Sequence, residues 1–276
     1  MTTTTTPKPT TDVVVATSAD DSAAVEAVKA HHAELAGQLH VLTEHVLTTS
    51  TGDSAAFEES RTRLLAFCTR DLVPHAGAEE KALYPAAATS EPARLLIDSM
   101  LDEHQLIHRL VEQVRTKSEP ARATAAAYAL RVVFDSHLAK ENDLVLPVIA
   151  ADPRTSLAEI LHGMHELLGG NAEDEQTPPG QSASGQSAGD GGSCGCGHED
   201  GDAVPELDVR SVPHSIRHAT VFGAFDAIPG GGQLVLVAPH DPLPLLRQLS
   251  ARAGGQLGVD YLERGPEAWR LLLTRG

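Results

Sequence analysis

Along residues 21 to 146 the apolar side chains recur at steps of three and four, and several places in that rhythm belong to histidine or glutamate. Such a repeat predicts amphipathic helices with one face turned to a core. The first helix is predicted over about 21–48, with the stripe Val25, Val28, His32, Leu35, Leu39, Leu42 and Val46. A second element starts near Ser54 and turns Phe57, Leu64, Cys68, Leu72, His75, Glu79 and Leu83 to one side. Pro74 has no N–H to give, so a kink or a fresh helix start is expected there. The third helix, about 92–116, presents Ile97, Met100, His104, Ile107, His108, Val111 and Val114. The fourth, about 121–146, presents Ala126, Leu130, Val133, His137, Glu141 and Leu144. Short connections between long helices imply an all-α, up-down four-helix bundle. A short fifth helix, SLAEILHGMHELLGG, ends in glycines suited to a C-cap.

Histidine and carboxylate on core-facing stripes are the anomaly. His75/Glu79, His104/His108 and His137/Glu141 each lie four residues apart, so each pair projects from one helix face. The segments HAGAEEKALYP (75–85) and HLAKENDLVLP (137–147) share one template: His, three residues, Glu, five residues, Pro. Buried carboxylates with no cation would cost several kcal/mol each, on the order of what a missing ion partner costs in a core. No lysine or arginine lies on these stripes; Lys140 is adjacent but off-centre. A bound metal supplies the missing charge. Imidazole and carboxylate without thiolate suit iron, zinc or manganese. Seven ligands exceed one tetrahedral zinc, whereas a metal pair bridged by Glu79 and Glu141 would use them all. Cys68, on the same face as His75, reads as a small buried hydrophobe.

The stretch from about 20 to 168 resembles the hemerythrin-like, HHE cation-binding family. The matching residues are HHAEL in the first helix, H75AGAEE80 followed by LYP, DEHQLIH ending at His108, and H137LAKE141 followed by LP. The resemblance implies the ligands His32, His75, Glu79, His104, His108, His137 and Glu141, holding two non-haem iron ions, with manganese or zinc as the lesser alternatives. His31 neighbours His32, and stripe continuity favours His32. Oxygen-carrying members end with an aspartate where Asn142 stands here. The His-x-x-x-Glu spacing is closer to the iron-repair and iron-sensing branches. The implied function is a di-iron protein that binds or senses O2, NO or reactive oxygen species. The alternatives are a di-iron oxidoreductase acting on peroxide or NO, or an iron storage or repair protein with an electron donor or iron acceptor as partner.

Residues 169–205 are Gly, Ser, Pro and acid, a composition that cannot bury enough apolar surface to order itself, so a flexible linker is expected. It carries CGCGH, with Cys194, Cys196 and His198 two apart, one ligand short of a closed zinc site. Residues 206–276 read in the order β-α-β-α-β-β, a small two-layer α/β sandwich. LDVR, RH at 217–218, FDAI, HDP at 240–242 and YLERGPEAW resemble an uncharacterised family with a TusA-like, sulfur-carrier-like fold. The cysteine a sulfur carrier needs at its first helix is absent; His214 and Ser215 stand there. His218 and His240 are candidates to complete a site with CGCGH.

A charge of −17, from 38 acidic against 21 basic residues, argues against nucleic-acid binding. No run of about 18 apolar residues is present, so no membrane span is expected. Three cysteines make no disulfide framework, and the Thr-rich residues 1–20 read as a disordered tail, so the expected compartment is the cytoplasm.

Overall fold

The computed structural model describes residues 16–89, 91–167 and 204–276. The Thr-rich start up to residue 15 and the segment 168–203 with CGCGH lie outside the described residues.

The first helix, α1 (Ala19–Thr49), starts earlier than the stripe alone indicates. Ser18 caps it, its hydroxyl accepting from the Asp21 amide at 3.0 Å. Residues 16–20 therefore belong to the folded bundle rather than to the predicted tail. The second predicted element is one long rod interrupted by two π turns. It runs α2 (Ser54–Phe67), a π turn (Cys68–Leu72), α3 (Val73–Ala78), a second π turn (Glu79–Leu83) and α4 (Tyr84–Ala87). Two long helices follow, α5 (Glu91–Thr116) and α6 (Pro120–Lys140). The fourth rod continues past α6 through a third π turn (Glu141–Val145) into α7 (Leu146–Ala150), and α8 (Leu157–Leu167) closes the end.

All three π turns share one cause. Each ends two residues before a proline: Pro74, Pro85 and Pro147. Proline cannot donate to the carbonyl four residues back, and its ring clashes with it. The wider turn gives the last amide before each proline a partner five residues back: Val73 to Cys68, Tyr84 to Glu79, Leu146 to Glu141. At Pro74 the expected kink or break is thus a π turn within a continuous rod. The shared template of the two His-Glu segments is the sequence of a π turn that begins at its glutamate.

The bundle core divides in two. One apolar cluster holds Leu35, Leu39, Phe57, Leu64, Ile107 and Leu130 among others; another holds Val28, Leu83, Tyr84, Met100, Val145 and Ile149. α1 and α5 pass from the second cluster to the first, and the other two rods pass the opposite way, as an up-down bundle requires. The histidines and glutamates lie on each rod between the clusters, so the polar atoms form one layer with apolar walls above and below.

The C-terminal domain is a four-stranded sheet ordered β1 (Glu206–Asp208), β2 (Gln233–Ala238), β4 (Trp269–Arg275), β3 (Leu257–Arg264). β1 and β2 are parallel; β4 is antiparallel to both β2 and β3. Helices α9 (Arg217–Asp226) and α10 (Leu243–Arg252) bury Val221, Phe225, Leu245 and Leu249 against Leu234, Leu236, Leu271 and Leu273. The expected β-α-β-α-β-β order is present. Its start lies slightly earlier than predicted: Pro205 is buried and its carbonyl accepts from the Val235 amide at 2.9 Å, so the linker boundary at 205 moves back.

Nothing in the sequence reading placed the two domains together. In the structure α9 lies directly on α1. A Cβ on Gly223 would fall 1.9 Å from the Glu34 carbonyl oxygen, and one on Gly37 would fall 2.1 Å from that of Thr220, so the two backbones touch. Val41 of α1 completes the core of the C-terminal domain. The His40 Nε2 hydrogen-bonds the Glu206 carbonyl at 2.9 Å, and Arg63 donates to the Ala227 carbonyl at 2.9 Å.

Candidate metal centre

Six of the seven residues named from the sequence meet in the polar layer: His32 from α1, His75 and Glu79 around the second π turn, His104 from α5, and His137 and Glu141 at the end of α6. All six are buried. Two donor sets result. Glu79, His104, His137 and Glu141 form one, and His32, His75 and Glu79 form the other; within each, the ligand atoms lie within 4.8 Å of one another. Glu79 belongs to both. Its Oε1 is 2.9 Å from His75 Nε2 and 3.3 Å from His32 Nε2, while its Oε2 is 3.5 Å from His104 Nε2. His104 and His137 bring their Nε2 atoms to 3.0 Å, and Glu141 Oε2 lies 3.6 Å from His137 Nε2 and 3.7 Å from His32 Nε2. His32, not its exposed neighbour His31, enters the layer, as stripe continuity indicates.

His108 does not join them: it is exposed. The stripe on α5 steps from His104 to Ile107 and on to Val111, both buried, which leaves His108 on the flank. An i,i+4 pair shares a face only loosely, because an α-helix turns about 100° per residue. The partners of His75 and His137 reach the layer at that spacing, and in both cases the partner opens a π turn. α5 has no such turn.

Tyr84 takes a place in the layer that the sequence reading left to LYP as a mere motif. Its hydroxyl donates to Glu141 Oε1 at 2.6 Å and lies 3.1 Å from His104 Nε2 and 3.4 Å from His137 Nε2. Five residues past Glu79, a plain α-helix would carry it round toward the side. The π turn over Glu79–Leu83 takes up the extra residue and leaves Tyr84 facing inward. The signal that could have found it is the proline that follows, Pro85.

Three of the imidazoles are anchored from behind. His32 Nδ1 donates to Asn142 Oδ1 at 2.9 Å, His104 Nδ1 to Glu80 Oε1 at 2.8 Å, and His137 Nδ1 to Glu103 Oε2 at 3.2 Å. Lys140 binds the other oxygen of Glu103. These bonds fix the tautomer and aim each Nε2 inward.

The protonation balance without a cation is strained. Burial pushes the Glu141 carboxyl well above the ordinary carboxylate range, with the Glu79 charge adding to it and the Tyr84 hydrogen bond opposing. Burial would raise Glu79 too, but the His75 charge and hydrogen bonds from His104 and His32 hold it well below that range. Burial also drives His137 down to about 4, and the neighbouring His104 pushes the same way. The two carboxylates thus cannot both ionise comfortably, and His137 stays neutral. Two buried atoms, His75 Nε2 and Glu141 Oε2, make no hydrogen bond. Neutral imidazole, an unsatisfied carboxylate oxygen and an unsatisfied ring nitrogen aimed into one layer are what a metal ion would satisfy. The residues fit a metal.

A pH prediction follows for the metal-free chain. Glu141 binds its proton more tightly folded than unfolded. Its contribution to stability is therefore full at the low end and is lost as pH rises from the ordinary carboxylate range through its raised value. Metal displaces that proton. The melting temperature of the metal-free wild type, taken relative to metal-free Glu141→Gln so that the opposite contribution of His137 cancels, should fall as pH rises through this window, while that of the loaded wild type should rise. Parallel pH profiles in thermal melts would contradict this.

His218 and His240 are both exposed; His218 sits edge-on to Phe222 with centroids 6.2 Å apart, and His240 Nδ1 lies 3.3 Å from the Asp241 carbonyl oxygen. Among the described residues no metal-binding group includes either.

Comparison with known proteins agrees with the geometry. Residues 206–275 match the family described as an uncharacterized conserved protein, DUF2249. No curated protein and no solved structure matches the chain. Residues 23–173, more than half of the chain, match the hemerythrin HHE cation binding domain, and the chain belongs to that family.

Proposed function

We propose that the bundle holds a carboxylate-bridged pair of iron ions and takes a small ligand, O2, NO or a reactive oxygen species. The carrying observation is the shared position of Glu79 between two buried donor sets. His32 and His75 with Glu79 would hold one ion; His104 and His137 with Glu141 and Glu79 would hold the other. A bound iron pair supplies Lewis acidity and exchangeable electrons. The chain supplies access and exclusion. A cavity of about 310 Å³, walled by Ala27, Val28, His31, Leu83, Leu161 and Met164, opens onto His75 and Glu79. Its walls are almost wholly apolar, so it suits a diatomic or similarly small molecule and disfavours ions. α8, through Leu161 and Met164, forms the outer side of that route.

The thiol of Cys68 takes no part: it is buried, and burial pushes it up to about 12. No helix among the described residues is long and apolar enough to cross a membrane.

Turnover of peroxide or NO is the second reading, and Tyr84 favours it. Burial and the Glu141 charge hold its hydroxyl well above the ordinary phenol range, so it keeps its proton and offers a fixed hydrogen-bond donor beside Glu141 and His104. Such an enzyme would need an electron donor; a storage or repair protein would need an iron acceptor.

Anaerobic purification followed by metal analysis, with absorption and Mössbauer spectra after O2, NO and peroxide, tests the proposal. Iron near two per chain is expected, with about that stoichiometry following from the two donor sets. Reversible spectral change with O2 or NO supports binding; catalytic consumption supports the enzyme. Zinc or manganese in place of iron, or no metal at all, overturns it. Among variants, His75→Ala should lower metal content, whereas His108→Ala should leave it unchanged.

A further inference from the structure

The three anchored imidazoles are not anchored alike. His104 and His137 lean on carboxylates, Glu80 and Glu103, whereas His32 leans on the neutral amide of Asn142. The difference in surroundings is larger still. Asn142 and His32 both border a cavity of about 530 Å³ that lies between the two domains. Its far wall is the C-terminal domain, with Ser211, Val212, Ser215 and Ile216 leading into α9. The near wall is α1, the helix that carries His32 and, a few residues on, Gly37, His40 and Val41, which hold the C-terminal domain in place. The docked domain therefore walls the cavity onto which the part-buried His32–Asn142 hydrogen bond faces, and limits the approach of bulk water to it. Neither of the other two outer partners, Glu80 and Glu103, borders this cavity.

We infer that Asn142 is a positioning residue for His32, and that the docked C-terminal domain slows the exchange of their hydrogen bond with bulk water, so that the second domain tunes one half of the metal centre. The inference rests on the metal-centre reading above. Its physical content is simple. A ring N–H given to an amide oxygen leaves the imidazole a weaker electron donor than one given to a carboxylate. A hydrogen bond that water can invade holds the ring less firmly. Asn142 sets the first property, and the domain sets the second. In this arrangement the C-terminal domain needs no chemistry of its own to act on the centre; docking is sufficient.

The test uses the full chain loaded with zinc, a diamagnetic stand-in, and labelled at histidine for NMR. The N–H resonances of the anchored rings report directly on each outer hydrogen bond, and those of His104 and His137 serve as internal controls. Asn142→Leu should abolish the slowly exchanging His32 resonance and leave the other two in place. Asn142→Asp should retain it and, in the iron-loaded protein, lower the midpoint potential, since the added charge favours the oxidised metal. Gly223→Val, which separates the domains while touching no ligand, should speed exchange of the His32 N–H by about tenfold. Where that variant does not accumulate, the double change His40→Ala and Arg63→Ala removes two docking hydrogen bonds to the same end. An unchanged His32 resonance in Asn142→Leu, or the same exchange rate in the docked and undocked chains, would overturn the inference while leaving the metal centre standing. Failure of the wild-type chain to take up zinc or iron would instead sink the metal reading itself.

Discussion

Glu79→Gln is expected to empty both halves of the metal centre at once. Glu79 is the residue the two donor sets share; its Oε1 faces His32 and His75 and its Oε2 faces His104. Glutamine keeps the shape but offers one neutral oxygen and an NH2 group, which donates and cannot ligate. Each position thereby loses its bridging anion, and the positive charge of two cations is left to Glu141 alone. The comparison with His75→Ala separates bridging from simple loss of a ligand. His75 belongs to one set, so its replacement should lower metal content partially, while Glu79→Gln should abolish it. Metal analysis of freshly isolated protein, with circular dichroism to establish that the bundle is folded, decides the matter. Retention of the wild-type metal content in Glu79→Gln would mean that Glu79 does not bridge. The bundle should remain helical, because its two apolar clusters lie on either side of the layer and neither is built on Glu79.

Gly223→Val should release the C-terminal domain from the bundle. The glycine pair Gly37 and Gly223 lets α1 and α9 cross with their backbones in contact, and a Cβ at 223 would fall 1.9 Å from Glu34 O and 2.6 Å from Glu34 Cα. The obstacle is main chain, which cannot rotate aside as a side chain can. Overpacking of this kind costs about 1–3 kcal/mol, a shift of roughly 5- to 150-fold in the docking equilibrium. Interfaces between domains of one chain are seldom strong enough to absorb that without opening. Small-angle scattering should show a larger radius of gyration, and the amides of α9 should exchange faster. Gly230→Ala is the control, since nothing lies within 4 Å of a Cβ there. A scattering profile identical to wild type would show that the crossing tolerates side chains.

How much of this was legible beforehand depends on the kind of physics involved. The helical rods, their antiparallel order and the inward turn of His32, His75, Glu79, His104, His137 and Glu141 follow from local periodicity, which the chain displays openly. His108 was misplaced because a step of four and a step of three both satisfy that periodicity on paper. Only the packing of Ile107 into the apolar cluster decides between them. Tyr84 was overlooked for the complementary reason: its inward position depends on a change of helical pitch. Pro85 implies such a change but does not announce its phase. In the C-terminal domain the order of strands and helices was readable, yet the neighbour that α9 would choose was not.

The sequence by itself determined the amphipathic rods, the anomalous polar residues on their buried faces and the need for a cation among them. These rest on the period of the helix and the cost of burying charge, both local to a few residues. Tertiary structure alone decided that Glu79 lies in both donor sets, that Tyr84 touches Glu141, that Asn142 hydrogen-bonds His32, and that the second domain walls the cavity beside that pair. Each of those depends on which side chains from distant parts of the chain arrive within a few ångströms of one another, and periodicity carries no information about that.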